Sequence, residues 1–296
     1  MDFLGKAETF VRIVEAGSLS TAARSLGLSL AAVSRQVSSL EAELGATLLL
    51  RTTRRTHLTE EGRRFHEHAT RLVRDAATAR ASVRPDGAIG GQVVLSATVT
   101  LGILCVVPTL PKLLALHPSL ALELRLEERS VDLVGEGVDI AVRSGLELPD
   151  TTSLAVARLA SFERVMVASP AYLRRHGVPR TAASLAQRDA VLGLRSSVTW
   201  HLDEAGESVA VTVTPKLRVG TLLAVRAAVL AGLGLAVLPD FVVVDDLATG
   251  ALRRVLPKAT RAPVTAHALY RLESRGSASI SAVVSYLQQI VPSTRR

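Results

Sequence analysis

The chain has 296 residues, room for about two domains, and carries 35 Lys and Arg against 27 Asp and Glu, a net charge of +8. That balance favours a polyanionic partner, while one cysteine, Cys105, excludes an intramolecular disulfide framework and fits a reducing, cytoplasmic setting. Asp2 and Glu8 interrupt the first apolar residues, so no export signal is read there, and Pro108 with nearby Ser and Thr breaks the best apolar run, leaving no expected membrane span or membrane partner.

Residues 18 to 59 read as a winged helix-turn-helix, within a DNA-binding domain over 1–59. A short helix with Ala22, Ala23 and Leu26 ends at Gly27, Leu28 plugs the turn, and Ser29 N-caps a second helix running to about Leu44, the motif itself covering about 19–38. Val33, Val37 and Leu40 recur at helical spacing as its buried stripe. The opposite face, Ser29, Leu30, Ala31, Ser34, Arg35 and Ser38, has short side chains around one arginine, as a helix in the major groove of double-stranded DNA requires. Leu48, Leu49 and Leu50 then lead into Arg51, Arg54 and Arg55, a hairpin wing whose cations suit phosphates or a minor groove; a solvated arginine loop is the plain alternative.

From Thr59 to about Arg84, Phe65, Ala69, Leu72, Ala76, Ala79 and Val83 fall at intervals of four and three, a heptad seam on one helix. A helix between two domains cannot bury such a seam by itself, so it is read as a dimerising linker over 60–90, ending in the hinge Arg84-Pro-Asp-Gly-Ala-Ile-Gly-Gly91.

Beyond Gly91, short strands alternate with helices: a strand over 92–97, a helix over 102–116, strands over 120–127 and 138–142, and a second run from Phe162 through a helix at 222–230 and a strand at 235–238. This is the pattern of βαβ units on mostly parallel sheets, so an α/β domain over 91–296 with a cleft between two sheets is expected. Ligands in such folds lie beyond the carboxyl ends of strands, which singles out Ser96, Thr98 and Thr100 before a helix start and Arg143 after a strand, with Arg195 and Thr221 from the opposite side. Ordinary helix capping for the hydroxyls and a structural ion pair for Arg143 stay open beside the ligand reading. Cys105 lies in an apolar stretch and reads as a small buried hydrophobe.

Several segments together resemble LysR-type transcriptional regulators. Phe10-Val-Arg-Ile-Val-Glu-Ala-Gly-Ser18, Ala22-Ala-Arg-Ser-Leu-Gly-Leu-Ser29, Leu40-Glu-Ala-Glu-Leu-Gly45 and Leu58-Thr-Glu-Glu-Gly62 are similar to the family's amino-terminal half. Val131-Asp-Leu-Val-Gly-Glu-Gly-Val-Asp-Ile-Ala-Val-Arg-Ser-Gly145 and Ala231-Gly-Leu-Gly-Leu-Ala-Val-Leu-Pro239 are similar to its effector-binding half. Leu30 and Leu49 stand where the family often has a polar residue and a phenylalanine; Leu30 could touch a thymine methyl. The resemblance implies a winged helix-turn-helix, a linker helix and a two-subdomain α/β domain resembling periplasmic binding proteins, with subdomain I over about 91–161 and 264–296 and subdomain II over about 162–263. It further implies a sequence-specific DNA-binding regulator, a homodimer or homotetramer, with a small-molecule effector in the cleft and RNA polymerase as a further candidate partner. Ser96, Thr98, Thr100 and Arg143 would suit a small organic anion. No catalytic residue, metal site or cofactor is expected: His66 and His68 lie on different helix faces, and neither Gly90-Gly91 nor Gly232-Leu-Gly234 has nucleotide-loop spacing. A solute-binding protein would have the second half alone and an enzyme fusion would need a placed nucleophile or base; the chain offers neither pattern.

Overall fold

The computed structural model describes residues 3–51, 56–82, 89–145, 153–204, 206–259 and 262–291. It divides into two compact units, one of residues 1–92 with 119–121 and 132–138, the other of 93–118, 122–131 and 139–296.

The first unit begins with α1 (Phe3–Ala16), α2 (Leu19–Leu26) and α3 (Leu30–Leu44), followed by the antiparallel pair β1 (Leu49–Arg51) and β2 (Thr56–Leu58) and by α4 (Glu60–Ser82). Local chemistry fixes each boundary. Ser18 caps α2 by accepting from the Thr21 amide, and Gly27 ends it at φ 65°, a left-handed conformation that Gly adopts without a Cβ penalty. Ser29 then caps α3 through the Ala32 amide at 3.1 Å. Leu28 does not plug the turn: it is 39% exposed, because the Gly27 turn closes through backbone bonds and the core is already filled by Phe10, Ala23, Val33 and Val37. Thr59 starts α4, its hydroxyl accepting from the Gly62 amide at 2.8 Å. Gly62 meets the wing so closely that a Cβ there would lie 2.1 Å from the Leu48 carbonyl oxygen.

In the second unit, β3 (Gly91–Ala97), β4 (Leu120–Leu126), β5 (Ile140–Ser144) and β6 (Leu154–Phe162) are joined by a strand from late in the chain, Val264–Arg271, into one sheet. The other sheet holds β7 (Arg164–Ala168), β8 (Asp189–Gly193), β11 (Thr214–Val219), β12 (Leu235–Pro239) and β13 (Arg253–Arg254), while β9 (Thr199–Glu204) and β10 (Glu207–Thr212) form a separate hairpin; the late strand Val264–Arg271 is β14. The expectation of mostly parallel sheets needs correction. β3 with β5, and β8 with β11 and β12, pair parallel, but β14 runs antiparallel to β5 and β6, and β7 runs antiparallel to β12 and β13. The cause is connectivity: the chain leaves one sheet through β6 and re-enters it through β14, so its crossing strands run against the βαβ strands.

Pro108 does not break the apolar run. The chain stays helical from Val99 to Leu116, long and apolar enough by composition to cross a membrane. It passes through a π turn at Gly102–Val106 and a 3-10 turn at Val107–Thr109, and these altered turns accommodate the missing amide of proline. One face buries Leu101, Cys105, Val106 and Leu113, and the Tyr286 hydroxyl donates to the Thr109 carbonyl at 2.9 Å from the helix Ala278–Ile290. Ile103, Val107 and Leu114 are exposed on the other face.

Candidate DNA-reading face and effector cavity

The stripe Val33, Val37 and Leu40 is buried in the first unit's core, which turns Leu30, Ala31, Arg35 and Ser38 to solvent on one face of α3, with Ser34 half-buried. The buried side also holds Gln36, hydrogen-bonded to Thr9 of α1, and Lys6 pairs with Glu43 at 2.7 Å. Two polar ties thus set the roll of α3 against α1, and with it the direction of Arg35. Glu41, which sequence reasoning missed, ties α3 to the wing by accepting from the Leu48 and Leu49 amides at 2.8 and 3.1 Å. Leu48 and Leu49 are buried and Leu50 is exposed. Arg54, Arg55 and the side chain of Arg51 lie outside the described residues, as does Val83 of the linker seam.

The seam itself divides. Phe65 stacks edgewise on Phe3 and lies 5.4 Å from Phe10, and Ala69 is 1% exposed within the same core, so both serve their own domain. This corrects the reading of a linker helix whose whole stripe faces a partner: the first unit's core takes the first two positions of the stripe. Leu72 is 42% exposed, Ala76 half-buried and Ala79 exposed.

The six residues expected to meet an effector do not converge. Ser96 is wholly buried, accepting from Arg143 Nη2 at 2.7 Å and donating to Glu127 Oε1 at 3.1 Å. Arg143 is buried too and donates to the Val142 and Arg129 carbonyls. The pair therefore belongs to an internal hydrogen-bond network between β3 and β5, and this corrects their expected place in the cleft. Thr98 stands at the N-cap of the Val99–Leu101 turn without a side-chain capping bond, and the buried Thr100 hydroxyl has no partner among the described residues. Thr221 caps the helix Leu222–Leu230 through the Ala224 amide at 3.2 Å.

A cavity of about 400 Å³ lies between the two sheets, bounded by Ser144 and Val264 on one side and by Val191, Arg195, Trp200 and Leu222 on the other. Arg164 also borders it. Of the expected residues only Arg195 lines this space, with Thr221 immediately before Leu222. Arg164 and Trp200 were missed; Trp200, the chain's one tryptophan, carried a compositional signal but sits on a hairpin the spacing did not disclose.

A helix-turn-helix reader followed by a long helix and a two-sheet unit with a cavity defines a ligand-responsive transcription regulator. Comparison with known proteins agrees: residues 4–63 match the bacterial regulatory helix-turn-helix protein, lysR family, and residues 86–291 match the LysR substrate binding domain. An HTH-type transcriptional regulator of Xanthomonas campestris is 34% identical over 94% of this chain and 82% of its own length. The regulator CrgA of Neisseria meningitidis is 35% identical over 85% of this chain and 84% of its own. The solved structure of CrgA, a LysR-type transcriptional regulator, superposes with a TM-score of 0.63 at 29% identity, covering 97% of this chain and 98% of that one. The chain belongs to the LysR family of transcriptional regulators, with an effector-binding domain in its second half.

Proposed function

We propose that this regulator works as a homodimer that pairs into a homotetramer, reads DNA through α3 and the wing, and answers to a small organic anion held between its two sheets. The observation that carries the effector reading is the cavity of about 400 Å³ with two guanidinium groups on its wall, Arg164 and Arg195, neither paired with a described residue. Thr221 at the start of the nine-residue helix Leu222–Leu230 adds amide donors and the positive end of a helix dipole beside that wall. Trp200 offers one flat apolar surface.

In the reader, Ser29, Leu30, Ala31, Ser34, Arg35 and Ser38 would face base edges, and Arg51, Arg54 and Arg55 would meet phosphates. For assembly, Leu72, Ala76 and Ala79 on the linker helix and Ile103, Val107 and Leu114 on the second unit are two separate apolar surfaces, and two distinct interfaces are what a dimer of dimers needs.

The test is a thermal-shift screen of small carboxylates against wild type and Arg195→Gln. A ligand of the cleft raises the wild-type melting temperature by linkage and loses most of that effect in Arg195→Gln. Hits confined to cations or neutral hydrophobes would defeat the anion reading.

A further inference from the structure

A second recess of about 420 Å³ lies where the chain crosses between the two sheets. The outgoing crossing contributes Glu163, Arg164 and Met166, and the returning one contributes Arg254, Val255 and Leu256. Met166 and Val255 are buried and make an apolar floor, fastened by the bond from the Val255 amide to the Met166 carbonyl at 2.9 Å. Arg164 and Arg254 form no side-chain hydrogen bond or ion pair with a described residue, and Glu163 is the one carboxylate among the described lining residues. Leu256 has φ 47°, the one positive φ outside glycine among the described residues. Backbone held in that region by its surroundings gathers at ligand-contacting segments. Arg164 borders this recess and the cavity between the sheets alike.

We infer that this crossing recess is a second ligand site, one that takes a monocarboxylate with a short hydrocarbon body. Two guanidinium groups line the recess against Glu163, and Asp240, in electrostatic reach of Glu163 and Arg254, offsets part of their charge, so the balance suits a single carboxylate over a dianion. The planar fork of arginine matches a carboxylate, and the Met166–Val255 floor takes the hydrocarbon. A ligand seated on both crossings binds one angle between the sheets better than another, so by linkage it alters affinity in the cleft next to it. This inference does not rest on an anion occupying the cleft.

The chain has two methionines, Met1 and Met166, so methyl-labelled methionine gives the recess its own reporter in the full-length protein, while the Trp200 indole reports the cleft. Titration with hexanoate should shift the Met166 methyl signal saturably. Arg254→Gln, a change at an exposed residue, should weaken the midpoint by about tenfold, the worth of one charged hydrogen bond. Arg254→Lys should recover part of the loss, and Arg195→Gln should move the midpoint by less than Arg254→Gln does, through the linkage between the two sites alone. The inference is overturned if Met166 does not respond at about 10 mM hexanoate, above the millimolar range natural to so small a ligand. It is equally overturned if hexylamine acts as hexanoate does, or if Arg195→Gln abolishes the shift while Arg254→Gln leaves it intact. A Trp200 response without a Met166 response would sink this site and spare the cleft; the reverse would spare this site alone.

Discussion

The Glu41 carboxylate lies 2.8 Å from the Leu48 amide and so joins α3, the proposed reading helix, to the residue that leads into the wing. The same oxygen accepts from Leu49, so the wing's first strand inherits its position from α3. Glu41→Ala strands two amides in a part-buried place, which costs about 1–3 kcal/mol. Urea unfolding should register that loss, and affinity should fall on cognate and random DNA alike if, as proposed, the wing's arginines meet phosphates. Unchanged stability in Glu41→Ala would remove the brace from the account.

Arg35 and Arg54 should separate in salt titrations. Arg35→Ala should weaken binding chiefly at the cognate site, whereas Arg54→Ala should weaken all DNA and lower the slope of log affinity against log salt by about one. Equal losses on every sequence for Arg35→Ala would reassign it to phosphate.

The divided seam of α4 gives two different failures. Phe65→Ala opens a hole against Phe3 and Phe10 and should destabilise the first unit by about 3 kcal/mol, read in denaturant. Leu72→Glu alters a residue already 42% exposed and should spare that stability while placing like charges across a symmetric interface. Sedimentation should then show the oligomer dissociating. A Leu72→Glu protein that still dimerises at micromolar concentration would move the interface elsewhere.

Stability should fall as pH drops below about 6.5. Burial, against partial opposition from Glu15 and Glu67, holds His66 below the ordinary histidine value; burial and then Arg158 do the same to His267. For a base with a depressed folded value the unfolded chain takes up its proton first, so stability is full above about 6.5 and is lost as pH falls toward the folded values. Glu60, held low by Arg63, acts in the same sense in the lower carboxylate window. The urea midpoint against pH checks this, and His66→Gln should flatten the fall; a midpoint that rises toward acid would contradict it.

Much of the reader was legible because its signals are local. Gly27 and Ser29 act within one turn of their own positions, and Val33, Val37 and Leu40 announce their face by spacing alone. The wing brace was not legible, since nothing in a lone Glu41 states which amides it will meet. The cleft failed for a related reason. Ser96 and Arg143 occupy strand ends where ligands are expected, yet they are partners of each other across 47 positions, and alternation along one strand does not reveal what stands on the next. The altered turns around Pro108 were hidden too, because a proline reads locally as a stop while packing against Tyr286 carries the helix through it.

The place of β14 between β5 and β6 sets an order of events during synthesis. Every strand of the second sheet lies between Arg164 and Arg254, so that sheet can close as soon as those residues emerge, while β6, already made, waits for β14 to give it a neighbour. Domains form as units while the chain is still growing. The half of the effector-binding region that is encoded first is therefore finished last, and an unpaired β6 edge is what a ribosome stalled before Val264 would present to the cell's chaperones.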